Sequence, residues 1–201
     1  MRLRRPAFTT LALAVAAMVV TSPKTGAAGE PSTASASSAQ PAVWVLKQRH
    51  FVYQGFTTKY SCEGLADKIR KALLQLGARK DLEVREGACT RPGGGPEPFP
   101  NVDVKMHVLE IPTASNAGHT TLVPAHWKTV EVRLDRDPLT EAGDCELVEQ
   151  IKQSLLPLFA TRTIDYRSSC IPHQLQPGGT WLKAEVLIAD RPDAKVAEPK
   201  E

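Results

Sequence analysis

The sequence lacks several patterns that mark the commonest classes of enzyme and metal site. It has no Cys-x-x-Cys pair, no Gly-x-Ser-x-Gly motif and no Ser-x-x-Lys motif. A thiol oxidoreductase or the common serine hydrolases would show one of these, and a zinc site would show short ligand spacings. The glycines at 93–95 are followed by prolines and a strand pattern rather than by a helix, which argues against a phosphate-binding loop. The sequence therefore predicts no cofactor and favours no enzyme class.

An excess of charge of one sign is also missing once the amino-terminal segment is set apart. The whole chain has 25 Lys+Arg and 22 Asp+Glu. Residues 1–28 contain four of these bases and no acid, which leaves 21 bases against 22 acidic residues. Nucleic-acid binding needs a basic patch or stripe, and neither the composition nor the clustering provides one. We therefore expect no nucleic-acid partner.

The amino-terminal segment has the order of a secretory signal peptide. Arg2, Arg4 and Arg5 precede a mostly apolar run over 7–20, and small residues up to Ala28 offer a cleavage site. The run is about 14 residues long, whereas a membrane span needs about 20. We predict cleavage of residues 1–28 and export to the periplasm or the medium of a bacterium. The mature protein is then not expected to be an integral membrane protein.

Two polar segments flank the part of the chain that can fold. Residues 29–40 are small and polar, and they predict a flexible linker because they cannot bury enough apolar surface to offset the entropy lost on ordering. Residues 190–201 are similarly polar and predict a disordered tail. We therefore assign residues 41–189 to a single domain, which is long enough to form a hydrophobic core.

An internal repeat organises this domain. The sequence that starts at Cys62 parallels the one that starts at Cys145, and each copy continues to a second cysteine and a Pro-Gly-Gly loop. A weaker match sets residues 41–44 beside 124–127. A period of about 80 residues is too long for a solenoid repeat and indicates a duplicated half-domain. We predict one repeat over 41–112 and a second over 124–189.

Each repeat predicts the element order β-α-β-β. The first helix has Ser61 as its N-cap and Gly77 as its stop, and the second follows Asp144 and ends or kinks at Pro157. Alternation of apolar and polar residues predicts strands over 102–108, 130–134 and 182–188. Alternation implies one buried and one solvated face. The predicted fold class is α+β, with two tandem β-α-β-β repeats forming a mixed or antiparallel sheet covered by two helices.

Four cysteines in an exported chain allow three disulfide connectivities. A helix that starts at Cys62 is about 22 Å long, and the strand that returns to Cys89 covers about 26–30 Å. The return of the chain therefore brings Cys89 beside Cys62, and the same arithmetic brings Cys170 beside Cys145. We predict one disulfide in each repeat, Cys62–Cys89 and Cys145–Cys170.

Candidate functional residues fall into two groups. His119 and His126 lie between the repeats and are weak candidates for a metal or substrate site, because their spacing matches no usual ligand motif and polar loop residues explain them as well. The loops after the second cysteine of each repeat are candidate partner-binding surfaces, since a disulfide anchors one end of each. Ordinary hairpin connections remain the alternative for these loops. Their candidate residues are Pro92, Gly93, Gly94, Phe99, Pro177, Gly178 and Gly179.

The first functional hypothesis is a non-enzymatic protein of the cell envelope that acts in binding or assembly, with an unidentified envelope protein or ligand as its partner. One alternative is a hydrolase or metal-dependent enzyme that uses the segment between the repeats. Another is a small-ligand carrier, which would need an apolar cavity between the helices and the sheet.

Overall fold

The computed structural model describes residues 39–89, 95–116, 121–134, 143–171, 173–174 and 180–190. The predicted signal peptide, nearly all of the predicted linker, His119, the two Pro-Gly-Gly loops and the tail after Asp190 lie outside the described residues. Within the described residues, no helix is both long enough and apolar enough to cross a membrane.

The described residues form an α+β fold in the order β-α-β-β-β-α-β-β, which confirms the predicted fold class at this level. A short 3₁₀ turn follows the second α-helix. The elements are β1 Gln40–Val52, α1 Cys62–Gln75, β2 Glu83–Glu86, β3 Asn101–Glu110, β4 Val123–Val132, α2 Cys145–Ser154, the 3₁₀ turn Leu156–Leu158, β5 Thr161–Ser168 and β6 Thr180–Ala189.

Helix α1 begins and ends where its sequence predicts. The Ser61 hydroxyl accepts the backbone N–H of Gly64 at 3.0 Å, and this satisfies one of the free donors of the first turn. Gly77 has a φ of 95°, a conformation that side chains with a Cβ rarely adopt, so the chain leaves the helix at this residue. The apolar stripe of α1 is fully buried, as Leu65 and Ile69 illustrate.

Helix α2 departs from its prediction at its start. Asp144 occupies the N-cap position, but its carboxylate makes no hydrogen bond with the backbone of the helix. It accepts instead from the Tyr60 hydroxyl and from Lys68 Nζ, the latter at 2.6 Å, because these two donors reach it from the first half of the chain. The helix ends at Ser154, and Pro157 lies in the 3₁₀ turn that follows, as its missing N–H requires.

The six strands form one antiparallel sheet in the order β2-β3-β1-β4-β6-β5. Strand β1 pairs with β3 along Val43 to Val52, but it pairs with β4 only from Gln40 to Ala42. The sheet therefore consists of two groups of three strands joined by a short junction. We call β1, α1, β2 and β3 the first group, and β4, α2, β5 and β6 the second group.

The two faces of the sheet differ in what covers them. The helices pack on one face, where they meet alternate residues of the strands in a single core. The other face, which we call the open face, carries a smaller apolar cluster around the junction. The core on the helix side includes Phe51, Val102, Val104, Met106, Val132, Leu182, Ala184 and Val186 from the strands. The cluster on the open face includes Ala42, Trp44, Leu109, Ala125 and Leu187.

Each helix also holds the end of the first strand of the other group. The Gln75 side chain of α1 donates to the carbonyl of Arg133 at 2.8 Å and accepts its N–H at 2.7 Å. The Gln150 side chain of α2 makes the same pair of bonds with Gln54, at 2.6 Å and 3.0 Å. These crossed glutamine contacts tie together two groups whose strands pair at only three residue positions in the described junction.

Candidate functional site at the disulfide-bonded end

Both predicted disulfides are present. Cys62–Cys89 has a Cα–Cα distance of 6.4 Å, and Cys145–Cys170 has one of 5.6 Å. Each joins the first residue of a helix to the chain that follows the next strand. Two disulfides fit a protein of an oxidising compartment.

The disulfides lie at one end of the molecule, where loops from both groups meet. We call this surface the cystine end and define it as residues 53–60, 95–100 and 168–171 together with His173. Three hydrogen bonds join these segments: Tyr53 N–H to the Pro100 carbonyl at 2.9 Å, Glu97 N–H to the Tyr60 carbonyl at 2.9 Å, and His173 N–H to Thr57 Oγ1 at 3.1 Å.

A buried carboxylate of α2 fixes the loop between β1 and α1. Glu146 is only 7% exposed, and its Oε2 accepts the backbone N–H groups of Phe56 at 2.7 Å and Thr57 at 2.9 Å. The hydroxyl of Tyr53 donates to the same oxygen at 3.3 Å. A Cβ at Gly55 would lie 1.8 Å from the Tyr53 oxygen, so only glycine fits there. The backbone under Phe56 is therefore held by charge-assisted hydrogen bonds and by close packing.

A second buried carboxylate supports the same region. Asp144 is 1% exposed and is bonded by the Tyr60 hydroxyl and by Lys68. The rings of Tyr53 and Tyr60 pack edge to face with centroids 4.8 Å apart. Burial, and then the nearby carboxylates of Glu146 and Asp144, raise the pKa of both tyrosines well above its ordinary value. Both hydroxyls therefore stay protonated and donate to these carboxylates.

Two aromatic side chains project from this support. Phe56 is 62% exposed and Phe99 is 64% exposed. The Phe56 ring lies 5.4 Å from the ring of His173, and the Lys59 ammonium lies 5.8 Å from the Phe56 centroid. The Phe99 carbonyl accepts from the Asn101 side chain at 3.2 Å. Large, exposed aromatics on a fixed backbone suit contact with another molecule.

Sequence reasoning selected Phe99 but missed Phe56. Phe99 lies at the cystine end, as do the cysteines that precede the two Pro-Gly-Gly loops. Pro92, Gly93, Gly94, Pro177, Gly178 and Gly179 lie outside the described residues. The available signal for Phe56 was an aromatic residue between Gly55 and two threonines, just beyond the end of a strand pattern.

The histidines do not form a metal site with other described residues. His126 lies on β4, and its Nδ1 contacts the carboxylate of Asp190, while His119 is outside the described residues. Within the described part of the chain, no group of three or more His, Cys, Asp or Glu side chains is placed to hold a metal ion.

One surface cavity on the first group is lined mainly by charged and polar residues. It measures about 350 Å³. Its walls include the ion pairs of His50 with Asp103 at 2.8 Å and of Arg85 with Glu83 at 2.6 Å. Between the helices and the sheet, packed side chains of the main core occupy the position where a carrier would hold an apolar ligand.

Comparison with models of protein families found no match, and comparison with curated proteins and with solved structures found none either.

Proposed function

We propose that this chain is exported through a cleaved signal peptide, residues 1–28, and acts in the bacterial envelope or medium as a non-enzymatic binding or assembly protein. The cystine end is its contact surface. The observation that carries the proposal is the pair of exposed aromatics, Phe56 and Phe99, on loops fixed by disulfides and by buried carboxylates.

The loops of the cystine end are ordered before any partner binds. A loop that becomes ordered only on binding loses conformational entropy at that moment and weakens the complex. The Phe56 loop is already held by Glu146, and the Phe99 loop is joined to it through Tyr53 and Pro100. Phenylalanine has only two side-chain torsions to fix. Most of the free energy gained by burying these rings against a partner is therefore available for affinity.

A duplicated unit, with repeats over 41–112 and 124–189, would explain why one end of the molecule holds both disulfides. The starts of β1 and β4 are 83 residues apart, and so are the starts of α1 and α2. The three strands of each group follow the same order outward from the junction. Pro41 faces Pro124 across the junction, at corresponding positions of the weak sequence match.

Site-specific photo-crosslinking in intact cells tests the proposal. A photoreactive phenylalanine analogue is placed at Phe56 or Phe99 and, as matched controls, at Leu74 on α1 and Leu46 on the open face, which are also exposed. We expect export of a form that has lost residues 1–28, with adducts to one envelope component from Phe56 and Phe99 but not from the controls.

Two results would contradict the proposal. An exported form with an intact Met1 would reject cleavage of the signal peptide. Equal crosslinking from all four positions, or none at Phe56 and Phe99 with a strong adduct at Leu46, would exclude the cystine end as the contact surface.

A further inference from the structure

The two edge strands of the sheet differ in whether their backbone carbonyls can pair with another strand. At the β2 edge, a side chain already occupies two of these carbonyls. Arg70 of α1 donates to the carbonyls of Leu82 and Val84, at 3.1 Å and 3.4 Å. Carbonyls two residues apart on an extended chain point to the same side, so one guanidinium satisfies two acceptors along β2. Strand β2 is also only four residues long. A short strand with occupied carbonyls is a poor template for another strand.

The β5 edge has the opposite character. Strand β5 is eight residues long, and in the described part of the chain it pairs only with β6. No described side chain bonds to its backbone carbonyls. Several of its side chains are exposed, including Ile164 at 45%. An edge strand presents a row of unpaired N–H and C=O groups, and these can pair with an added strand.

Three cations around β5 have no ion-pair partner among the described carboxylates. The Arg162 guanidinium lies 4.0 Å from the centroid of the Trp127 ring, and the Arg167 guanidinium lies 4.9 Å from that of Trp181. On the helix side, Lys152 Nζ lies 4.3 Å from the centroid of the Tyr166 ring. None of the ion pairs between described residues includes Arg162, Arg167 or Lys152. A ring orients a cation but does not neutralise it, so positive charge remains available along this edge.

We propose that β5 binds an extended acidic segment of a partner protein by strand addition. Main-chain hydrogen bonds to β5 would supply affinity, and carboxylates on the open face would pair with Arg162 and Arg167. On the other face of the added strand, apolar residues would cover Ile164. The partner segment thus alternates acidic and apolar residues with the period of two that a strand requires.

A second copy of the chain fits this edge poorly. Arg162, Asp165 and Arg167 give β5 a net positive charge, so a second β5 strand would bring a like net charge to this edge. Like charges that face each other across strands are destabilising. The like charge disfavours the pairing of two β5 strands, whereas an acidic strand complements the charge of this edge.

Isothermal titration with synthetic peptides tests the proposal on the disulfide-bonded chain without residues 1–28. The probe is a capped peptide of alternating valine and glutamate, and its comparison replaces each glutamate with lysine. We expect the glutamate peptide to bind at least tenfold more tightly than the lysine peptide and to protect amides of residues 161–168 from hydrogen exchange. The double substitution Arg162→Glu and Arg167→Glu should weaken the glutamate peptide at least tenfold.

The matched control is Arg85→Glu, which reverses a charge at the β2 edge and should leave binding unchanged. If the double reversal prevents folding, Arg162→Gln with Arg167→Gln removes the charges while keeping polar side chains, and it should still weaken binding severalfold. Equal binding of both peptides, no effect of the β5 substitutions, or protection only at another strand would overturn the proposal. Binding to phosphatidylglycerol vesicles through Arg162 and Arg167, with no peptide binding, would overturn it as well. These outcomes do not depend on crosslinking at Phe56 and Phe99.

Discussion

At the β2 edge of the sheet, Arg85 lies 2.6 Å from Glu83, and Arg79 lies 2.6 Å from Asp81. At the β5 edge, Arg162 and Arg167 lie over tryptophan rings instead. Both edges belong to groups with the same order of elements, so the difference comes from side chains and not from topology. Arg79 and Arg85 of the first group are thus paired with carboxylates. Arg162 and Arg167 on the outer strand of the second group lie over aromatic rings and keep their positive charge.

This difference shows how one architecture can serve two purposes. An ion pair on a surface satisfies both partners and leaves little for a third group to bind. A cation over a ring is held in position, yet it remains able to accept an anion from another molecule. We infer that the β2 edge serves stability and solubility, and that the β5 edge serves recognition.

The largest change in stability is expected from removing a disulfide, and this compares the two halves because each edge strand leads to one disulfide. The pairs are 27 and 25 residues apart in sequence, so removal of either should restore similar entropy to the unfolded chain. We expect Cys62→Ala with Cys89→Ala, and Cys145→Ala with Cys170→Ala, each to lower the free energy of unfolding by about 3–4 kcal/mol. Urea unfolding of the two double variants measures this. A difference above about 2 kcal/mol between them would show that the two groups are not supported equally.

A smaller effect is expected from acidification, and it arises at the β2 edge. Burial, and then the Arg79 charge, lower the pKa of His107, so the unfolded chain binds a proton below about pH 6.5 that the folded chain does not. The Arg79 hydrogen bond lowers the pKa of Asp81, so the stability that Asp81 contributes above its unfolded pKa is lost at lower pH. Both shifts make the free energy of unfolding fall as the pH decreases, in two separate windows.

Thermal unfolding between pH 3 and pH 8 can separate the two residues. His107→Gln should flatten the decrease just below pH 6.5 and leave the decrease at more acidic pH. Asp81→Asn should flatten the more acidic part and deepen the decrease just below pH 6.5, because the Asp81 carboxylate opposes the lowering of the His107 pKa. A profile that neither substitution alters would place the titrating groups elsewhere in the molecule.

The smallest effects should come from the exposed cations themselves, and here the dependence on salt distinguishes the edges. Arg85→Gln should lower the free energy of unfolding by less than about 1 kcal/mol, and the loss should fade in 1 M salt, where ion pairs are screened. Arg167→Gln should lower it by about 0.5–1 kcal/mol, with little dependence on salt, because stacking on Trp181 persists. Chemical unfolding in urea at low and high salt measures both. The same salt dependence for both variants would remove the distinction between the edges.

Local features of the fold could be read from the sequence. Ser61 and Gly77 bound α1 because capping and left-handed geometry depend only on neighbouring residues. The disulfide pairing could be predicted because helix and strand lengths fix where a chain returns. Alternation predicted a mixed or antiparallel sheet, and the structure shows the antiparallel form; alternation did not reveal that β1 begins as early as Gln40.

The support of the cystine end could not be predicted in the same way. Glu146 contacts residues 89 and 90 positions away in sequence, and no local pattern distinguishes it from an exposed glutamate in a first helical turn. Aspartate is a common N-cap residue, but the Asp144 carboxylate accepts hydrogen bonds from Tyr60 and Lys68 instead of from the helix backbone. Long-range polar contacts of this kind depend on how the two groups dock. The exposed aromatics, by contrast, lie outside the predicted strands and helices, where the sequence alone allows a search for them.

The crossed glutamine contacts have a consequence for how the molecule resists proteases. A junction of one strand pair with three residue pairs would by itself be a hinge at which one half could open and expose its core. Gln75 and Gln150 bind each helix to the first strand of the other group. Separation at the junction must therefore also break the bonds of both glutamines. We expect cleavage within the paired strands of either half to require opening of nearly the whole domain. The proposed export would place the protein beyond the reach of ATP-driven chaperones, where this coupling would lengthen its lifetime.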